Sequence, residues 1–315
     1  MPSLLNQLKT LSSVVADTGD LDVIRRFVPQ DATTNPSLIL KAAQSGQYDS
    51  LLDKITADCE RLDASLDERV DDACDRWVVA MGGLILQHVN GRVSTEVNAR
   101  LSFDTEASLS KARKLVALYE ASGISRDRIL IKLAATWEGI RAAQVLEQEG
   151  IQCNLTLIFS LTQARACAEA GAYLISPFVG RILDWYRKNT PDVVYPPAKE
   201  PGVVRVAEIY RYLRLHKYPT VVMGASFRNS GEILALAGCD RLTISPSLLA
   251  ELEGKDGVVV RAMAQIESRE DRPSRITEAA FRWELNEDAM ATEKLAEGIR
   301  GFEADRRKLE ALVRS

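Results

Sequence analysis

The chain has 315 residues, 46% hydrophobic and 27% charged, with a formal net charge of −4, the composition of an ordinary soluble globular protein. It has no basic block with interleaved aromatics, which argues against a nucleic-acid partner. Its longest uncharged stretch, Gly150 to Ala164, is too short and too polar to span a bilayer.

Met1 through Thr10 lacks the apolar core and cleavage site of a secretory signal. The five cysteines are widely spaced with no CxxC pair, so a cytoplasmic protein with reduced thiols is expected. Val14–Asp17 and Ala32–Thr34 read as short strands. Asp71, Asp72 and Asp75 have helical spacing and read as a solvated face. Val93–Glu96 is a third strand. Asp104 or Thr105 then caps a helix that stops near Gly123.

Ile129–Leu133 is the fourth strand, and Thr136 starts a helix that ends at Gly150. Cys153–Ile158 follows, then a helix opened by the capping-box spacing of Ser160 and Gln163 and ended by Gly171. Tyr173–Pro177 is the sixth strand. Lys188 to Gly202 carries four prolines and reads as a long loop suited to covering a site mouth. Thr220–Ala225 and Arg241–Ser245 complete the set. From Leu248 onward the pattern is helical and charge-rich, apart from a break at Ser268–Arg275.

Eight strands alternating with helices argue for a single-domain (β/α)8 TIM barrel with additional C-terminal helices over about 248–315. A doubly wound open sheet is the competing architecture. It is weakened because no glycine-rich fingerprint follows any strand.

Residues two apart in a strand share a face. Thr33 and Asn35, Ser94 and Glu96, Asn154 and Thr156, and Ser176 and Phe178 have this spacing, while Leu155 and Leu157 form the apolar face of their strand. Asp17 and Ser226 close theirs. One buried polar pair is readily explained as a hydrogen-bonded core contact. Polar groups on several strands of one barrel, whose interior is normally aliphatic, look instead like a chamber for a hydroxylated molecule.

Lys132 lies in the most apolar run of the chain's middle, where an ammonium is costly unless it loses its proton. Reaching neutrality from about 10.4 corresponds to roughly 4–5 kcal/mol. A neutral amine in such a place attacks carbonyls, so Lys132 is a candidate Schiff-base nucleophile. The alternative is a lysine that snorkels or pairs with a buried carboxylate. Glu96 and Asp17 are the candidate acid/base groups, or ion-pair partners of Lys132. Arg181 and Arg228, in loops at strand ends, suit a phosphate or form surface salt bridges. Only two histidines are present, His88 and His216, both in helix-like segments, so neither a His-based triad nor a metal centre is expected.

Asp31-Ala32-Thr33-Thr34-Asn35-Pro36-Ser37, Val93-Ser94-Thr95-Glu96-Val97, Ile131-Lys132-Leu133-Ala134, Cys153-Asn154-Leu155-Thr156 and Ser176-Pro177-Phe178-Val179-Gly180-Arg181, in that order, resemble the transaldolases of the pentose phosphate pathway. The similarity runs from Val14-Val15-Ala16-Asp17-Thr18-Gly19-Asp20 to Ala296-Glu297-Gly298-Ile299-Arg300, essentially the full chain.

The resemblance implies reversible transfer of a dihydroxyacetone unit between sugar phosphates on a class I aldolase-type barrel. It places the Schiff base on Lys132, acid/base duty on Asp17 and on Glu96 acting through a water, and donor contacts on Asn35, Asn154 and Ser176. Arg181 and Arg228, with Ser226, would hold the phosphate. It further implies a homodimer with no metal or organic cofactor. Asn98 and Ala135 stand where an aspartate and a serine are usual, which bears on fine positioning around Glu96 and Lys132. Two rivals remain: a fructose 6-phosphate aldolase that releases free dihydroxyacetone, and a non-catalytic sugar-phosphate sensor.

Overall fold

The computed structural model describes residues 2–264, 266 and 270–314. In chain order the elements are α1 (Leu4–Leu8), β1 (Ser13–Asp17), α2 (Leu21–Phe27), β2 (Asp31–Thr33), α3 (Pro36–Ala43), α4 (Asp49–Glu60), α5 (Leu66–Leu86), β3 (Val93–Glu96), α6 (Thr105–Ala121), β4 (Ile129–Ala134) and α7 (Trp137–Gln148). They continue with β5 (Cys153–Ile158), α8 (Leu161–Glu169), β6 (Leu174–Pro177), α9 (Val179–Asn189), α10 (Pro201–Leu215), β7 (Val221–Gly224), α11 (Ser230–Leu234), β8 (Arg241–Ile244), α12 (Pro246–Glu253), α13 (Glu278–Glu287) and α14 (Ala289–Arg314).

Among the described residues the eight strands are parallel, and β8 returns to pair with β1, closing the barrel. This is the expected (β/α)8 architecture. The helix starts read from capping residues hold as well. Asp104 accepts from Ala107 N, Thr136 accepts from Gly139 N, and Ser160 and Gln163 form a reciprocal capping box.

Strand alternation sorts side chains into two sets. Ala16, Val93, Ile131, Leu155, Ile175 and Leu242 point outward into the main apolar core beneath the helices. The inward set forms layers. At the floor, Arg241 bonds Asp31, and Tyr173 Oη accepts from Arg241 and Arg92. Above it Val15, Leu130, Leu174 and Met223 pack together. This dry layer seals the barrel and leaves the C-terminal end of the strands for polar groups.

Several expectations change. Helix α12 follows β8 as the eighth barrel helix, so the helices beyond the repeat are α13 and α14. Within the expected break, Ser268 and Arg269 lie outside the described residues. The Lys188–Gly202 segment belongs partly to α9 and α10. Between them Pro197 lies against Gly231, where an added Cβ would come within 2.8 Å of it, so the segment packs on α11.

The Asp71, Asp72 and Asp75 cluster is not a solvated face. Lys111 contacts Asp71 at 2.5 Å and Asp75 at 2.6 Å, Lys114 reaches Asp72 at 2.9 Å, and Arg306 reaches Asp71 at 2.7 Å. Tertiary packing brings α6 and α14 onto that side of α5, and Asp75 is buried.

Candidate active site

Asp17, Thr33, Asn35, Lys132 and Thr156 line one cavity of about 390 Å³ at the C-terminal end of the barrel, together with Ser176, Phe178, Arg181 and Ser226. Nine of the thirteen residues expected at the site therefore converge here. The sequence reading missed Met223, Ala225, Thr243 and Phe302, which complete the wall. Thr243 had a signal, a lone polar residue between Leu242 and Ile244 in a strand already recognised. Phe302 had none, because an aromatic on an amphipathic C-terminal helix reads as ordinary packing.

Lys132 is buried on β4. Its Nζ donates to Thr34 O at 3.2 Å and lies 3.1 Å from Glu96 Oε2. That ionic contact is off the hydrogen-bonding angle, and Oε2 has no hydrogen-bond partner. Burial raises the Glu96 carboxyl above its ordinary range, the ammonium of Lys132 and then Arg181 opposing, with Asp17 adding to the rise. Burial likewise raises Asp17, against Lys132, a hydrogen bond from Thr33 and Arg181. Desolvation outweighs attraction for both acids, so each holds a proton more readily than a surface carboxylate does.

Polar partners link the strands. Thr33 Oγ1 donates to Asp17 Oδ1 at 3.1 Å and lies 2.7 Å from Thr243 Oγ1. Ser176 Oγ donates to Asn154 Oδ1 at 2.7 Å, and Asn154 Nδ2 donates to Ser94 Oγ at 3.0 Å. Ser94 and Asn154 do not line the cavity; this chain supports Ser176, which does. Asn35 lies beyond β2 and caps α3, its Oδ1 accepting from Leu38 N at 3.0 Å. Thr156 Oγ1 is buried and unpartnered on the cavity wall.

The β5 backbone makes room for this arrangement. Its register with β6 shifts between Leu155 and Ile158, and Leu157 adopts φ 56°. The shift turns Leu157 away from the face it was expected to share with Leu155 and into a cluster with Phe159, Phe178, Ile299 and Phe302. Gly298 lets α14 approach, since a Cβ there would lie 2.6 Å from a Leu157 methyl. Helix α14 thus lays Phe302 against the cavity, its ring centroid 5.8 Å from Lys132 Nζ and 5.4 Å from the Arg181 guanidinium.

The two arginines differ. Arg181 lies between the Phe178 ring, at 4.9 Å, and Phe302. Burial lowers its proton affinity, Arg228 adds to this, and Glu96, Glu297 and Asp17 oppose it. A largely buried guanidinium on aromatic faces, with no carboxylate paired to it among the described residues, is suited to an anionic ligand. Arg228 is exposed and engages Asp184 at 2.7 Å, with Ser226 Oγ 3.4 Å from its Nη1. It does not line the cavity. Gly180 lets the loop approach α9, because a Cβ there would lie 2.4 Å from Ser226 O and 2.6 Å from Arg228 Cγ.

A second cavity of about 400 Å³ lies on the far side of Glu96, lined also by Asn35, Asn98 and Arg306. Asn98 accepts from Arg100 N at 3.0 Å, and Ala135 is buried in the helix-facing core.

A lysine amine, Asp17 and a stacked arginine on one cavity, with Glu96 beside the amine but facing the second cavity, have the parts for imine chemistry on an anionic carbonyl compound. The model of the family described as Transaldolase/Fructose-6-phosphate aldolase matches residues 14–313. A protein named Transaldolase from Marinomonas sp. (strain MWYL1) is 61% identical over 315 residues, covering 100% of this chain and 99% of that one. Proteins of the same name from Aeromonas salmonicida (strain A449) and Methylobacillus flagellatus are 59% and 57% identical, each covering at least 98% of both chains. The chain belongs to the transaldolase/fructose-6-phosphate aldolase family.

Proposed function

We propose that this chain is a transaldolase. It transfers a dihydroxyacetone unit reversibly from sedoheptulose 7-phosphate or fructose 6-phosphate to glyceraldehyde 3-phosphate or erythrose 4-phosphate. The reading rests foremost on Lys132, buried within 3.1 Å of Glu96 inside a closed barrel. Full-length relatives named Transaldolase support it.

In this reading the Lys132 amine, held beside Glu96, adds to the donor's C2 carbonyl. Loss of water gives an iminium that withdraws electrons. Asp17 takes the C4 hydroxyl proton, the C3–C4 bond breaks and the aldehyde leaves. The pair from that bond remains on Lys132 as an enamine, which attacks the second aldehyde, and water then releases the new ketose. Glu96 Oε2 and Thr156 Oγ1, neither of which makes a hydrogen bond, suit a water that carries protons during imine formation and hydrolysis. Thr33, Asn35 and Ser176 hold donor hydroxyls, backed by Ser94 and Asn154, and Phe178 forms an apolar wall. Arg181 holds the phosphate, with Ser226 and Arg228 at the rim.

Borohydride reduction with fructose 6-phosphate tests the assignment. The three-carbon unit is expected on Lys132, with turnover dependent on an acceptor aldehyde. No adduct, or full activity in Lys132→Met, refutes it. Substantial free dihydroxyacetone without acceptor favours the aldolase rival.

No helix among the described residues is long and apolar enough to cross a membrane. We further propose a single-domain, cytoplasmic homodimer. The five buried free cysteines suit a reducing compartment. The exposed aromatics Phe103 and Trp283 lie beside Thr105 and Arg282, which both meet Glu138, and so offer an apolar contact on one side of the molecule.

A further inference from the structure

Outside the chamber, two acids are buried together where the β7–α11 loop meets the start of α10. Glu232, in α11, is fully buried, and Glu200, at the N-terminus of α10, is 3% exposed. Each has an oxygen with no hydrogen-bond partner, Glu200 Oε2 and Glu232 Oε1. Neither acid forms an ion pair among the described residues. Arg228 pairs with Asp184, Lys255 with Glu251 across Ser230, and Arg205 with Glu208 and Asp288, while Lys199, next to Glu200, is exposed.

The remaining contacts all hold the loop that carries Ser226 and Arg228. Glu232 Oε2 accepts from Arg228 N at 2.6 Å. Asn229 joins the two acids, its Nδ2 donating to Glu200 Oε1 at 3.4 Å and its Oδ1 accepting from Glu232 N at 2.9 Å. Ser226 sits in this loop with φ 60°, a strained value for serine.

We propose that Glu200 and Glu232 form a proton-sharing carboxyl pair that positions the Ser226–Arg228 loop at the rim of the chamber, and so sets affinity for the substrate's phosphate. The proposal rests on the phosphate reading given above. Two buried, unpaired carboxylates repel, whereas one shared proton turns the contact into a hydrogen bond and satisfies both orphan oxygens. Burial pushes Glu232 up to about 7, with Glu200 adding to the rise through its hydrogen bond and its charge. Below that pH the proton ties α11 to the start of α10. Above it the contact is lost and the loop moves outward. Both glutamates are positioning residues and touch no substrate.

The experiment compares wild type with Glu232→Gln and Glu200→Gln from pH 6.5 to 9, following KM and kcat for fructose 6-phosphate and the side-chain carboxyl carbons by 13C NMR. A glutamine amide donates at every pH, so it replaces the shared proton permanently. The expected result is a wild-type KM that rises several-fold across this range and a flat KM in both variants, with kcat equal in all three. A carboxyl resonance titrating near neutrality is expected in the wild type and absent from Glu232→Gln.

Identical KM profiles in wild type and variants, or no carboxyl titrating near neutrality, overturn the proposal. Arg181→Ala, measured alongside, separates its failure from that of the phosphate reading. If Arg181→Ala raises KM while the glutamine variants match wild type, only the carboxyl pair is refuted. If Arg181→Ala leaves KM unchanged, the phosphate reading falls and the pair's role falls with it.

Discussion

Phe302 ties the C-terminal helix to the chemistry, and its removal is a demanding test of the site. The ring is 3% exposed and packs against Leu157, Phe159, Phe178 and Ile299. Truncation to alanine at such a position costs about 3–5 kcal/mol, a Tm lower by roughly 5–10 °C for a chain of this size. The ring also faces Arg181 at 5.4 Å and Lys132 at 5.8 Å. A partly desolvated cation–π contact is worth about 0.5–2 kcal/mol, and the loss of the one that orients Arg181 corresponds to about 2–30-fold in substrate affinity. Steady-state kinetics and thermal melts of Phe302→Ala and Phe302→Leu separate these contributions. Leucine keeps most of the packing and loses the aromatic face, so it should recover most of the stability and little of the KM. A folded Phe302→Ala protein with unchanged KM for fructose 6-phosphate would refute the view that this ring forms part of the substrate wall.

Three further outcomes follow from the same geometry. Glu96→Gln preserves size and the contact with Lys132 but removes the proton carrier, so kcat should fall by about 10²–10⁴ while the folded content by circular dichroism stays intact; activity near wild type would exclude an acid/base role. Gly180→Ala drives a Cβ to within 2.4 Å of Ser226 O, a backbone atom that yields only by moving the loop, at about 1–3 kcal/mol. Its KM for phosphorylated donors should rise more than its kcat falls. Glu232 binds its proton more tightly folded, near 7, than unfolded. Its contribution to stability is therefore full below the unfolded value and is lost as pH rises through the folded one. Denaturant melts should show Glu232→Gln gaining steadily on wild type as pH rises from about 4 to 8, and a constant difference would contradict the shift.

Much of the site was legible because strand alternation and the C-terminal-end rule operate locally. Thr33, Thr156 and Ser176 lie on inward faces that period-2 reading identified, and they are joined there by Asp17, read from its place at a strand end, and Lys132, read from the cost of its charge in an apolar run. Alternation misled where the backbone departed from it. Leu157 does not share a face with Leu155, because the register shift on β5 reverses it. Asn35 lies past its strand as a helix cap. Arg181 and Arg228 looked equivalent as loop cations, but Asp184, 44 residues from Arg228, claims one guanidinium and two aromatic rings frame the other.

From the sequence by itself came the alternation of eight short strands with capped helices and a lysine set among apolar residues. Both follow from contacts within a few residues and from the cost of burying charge. Only the tertiary structure decided that Glu96 stands beside Lys132, that α14 brings Phe302 over the mouth, and that Asp71 and Asp75 are enclosed by cations from α6 and α14. These contacts join segments far apart in the chain. Their partners are chosen by packing among many chemically similar side chains, and no local pattern records that choice.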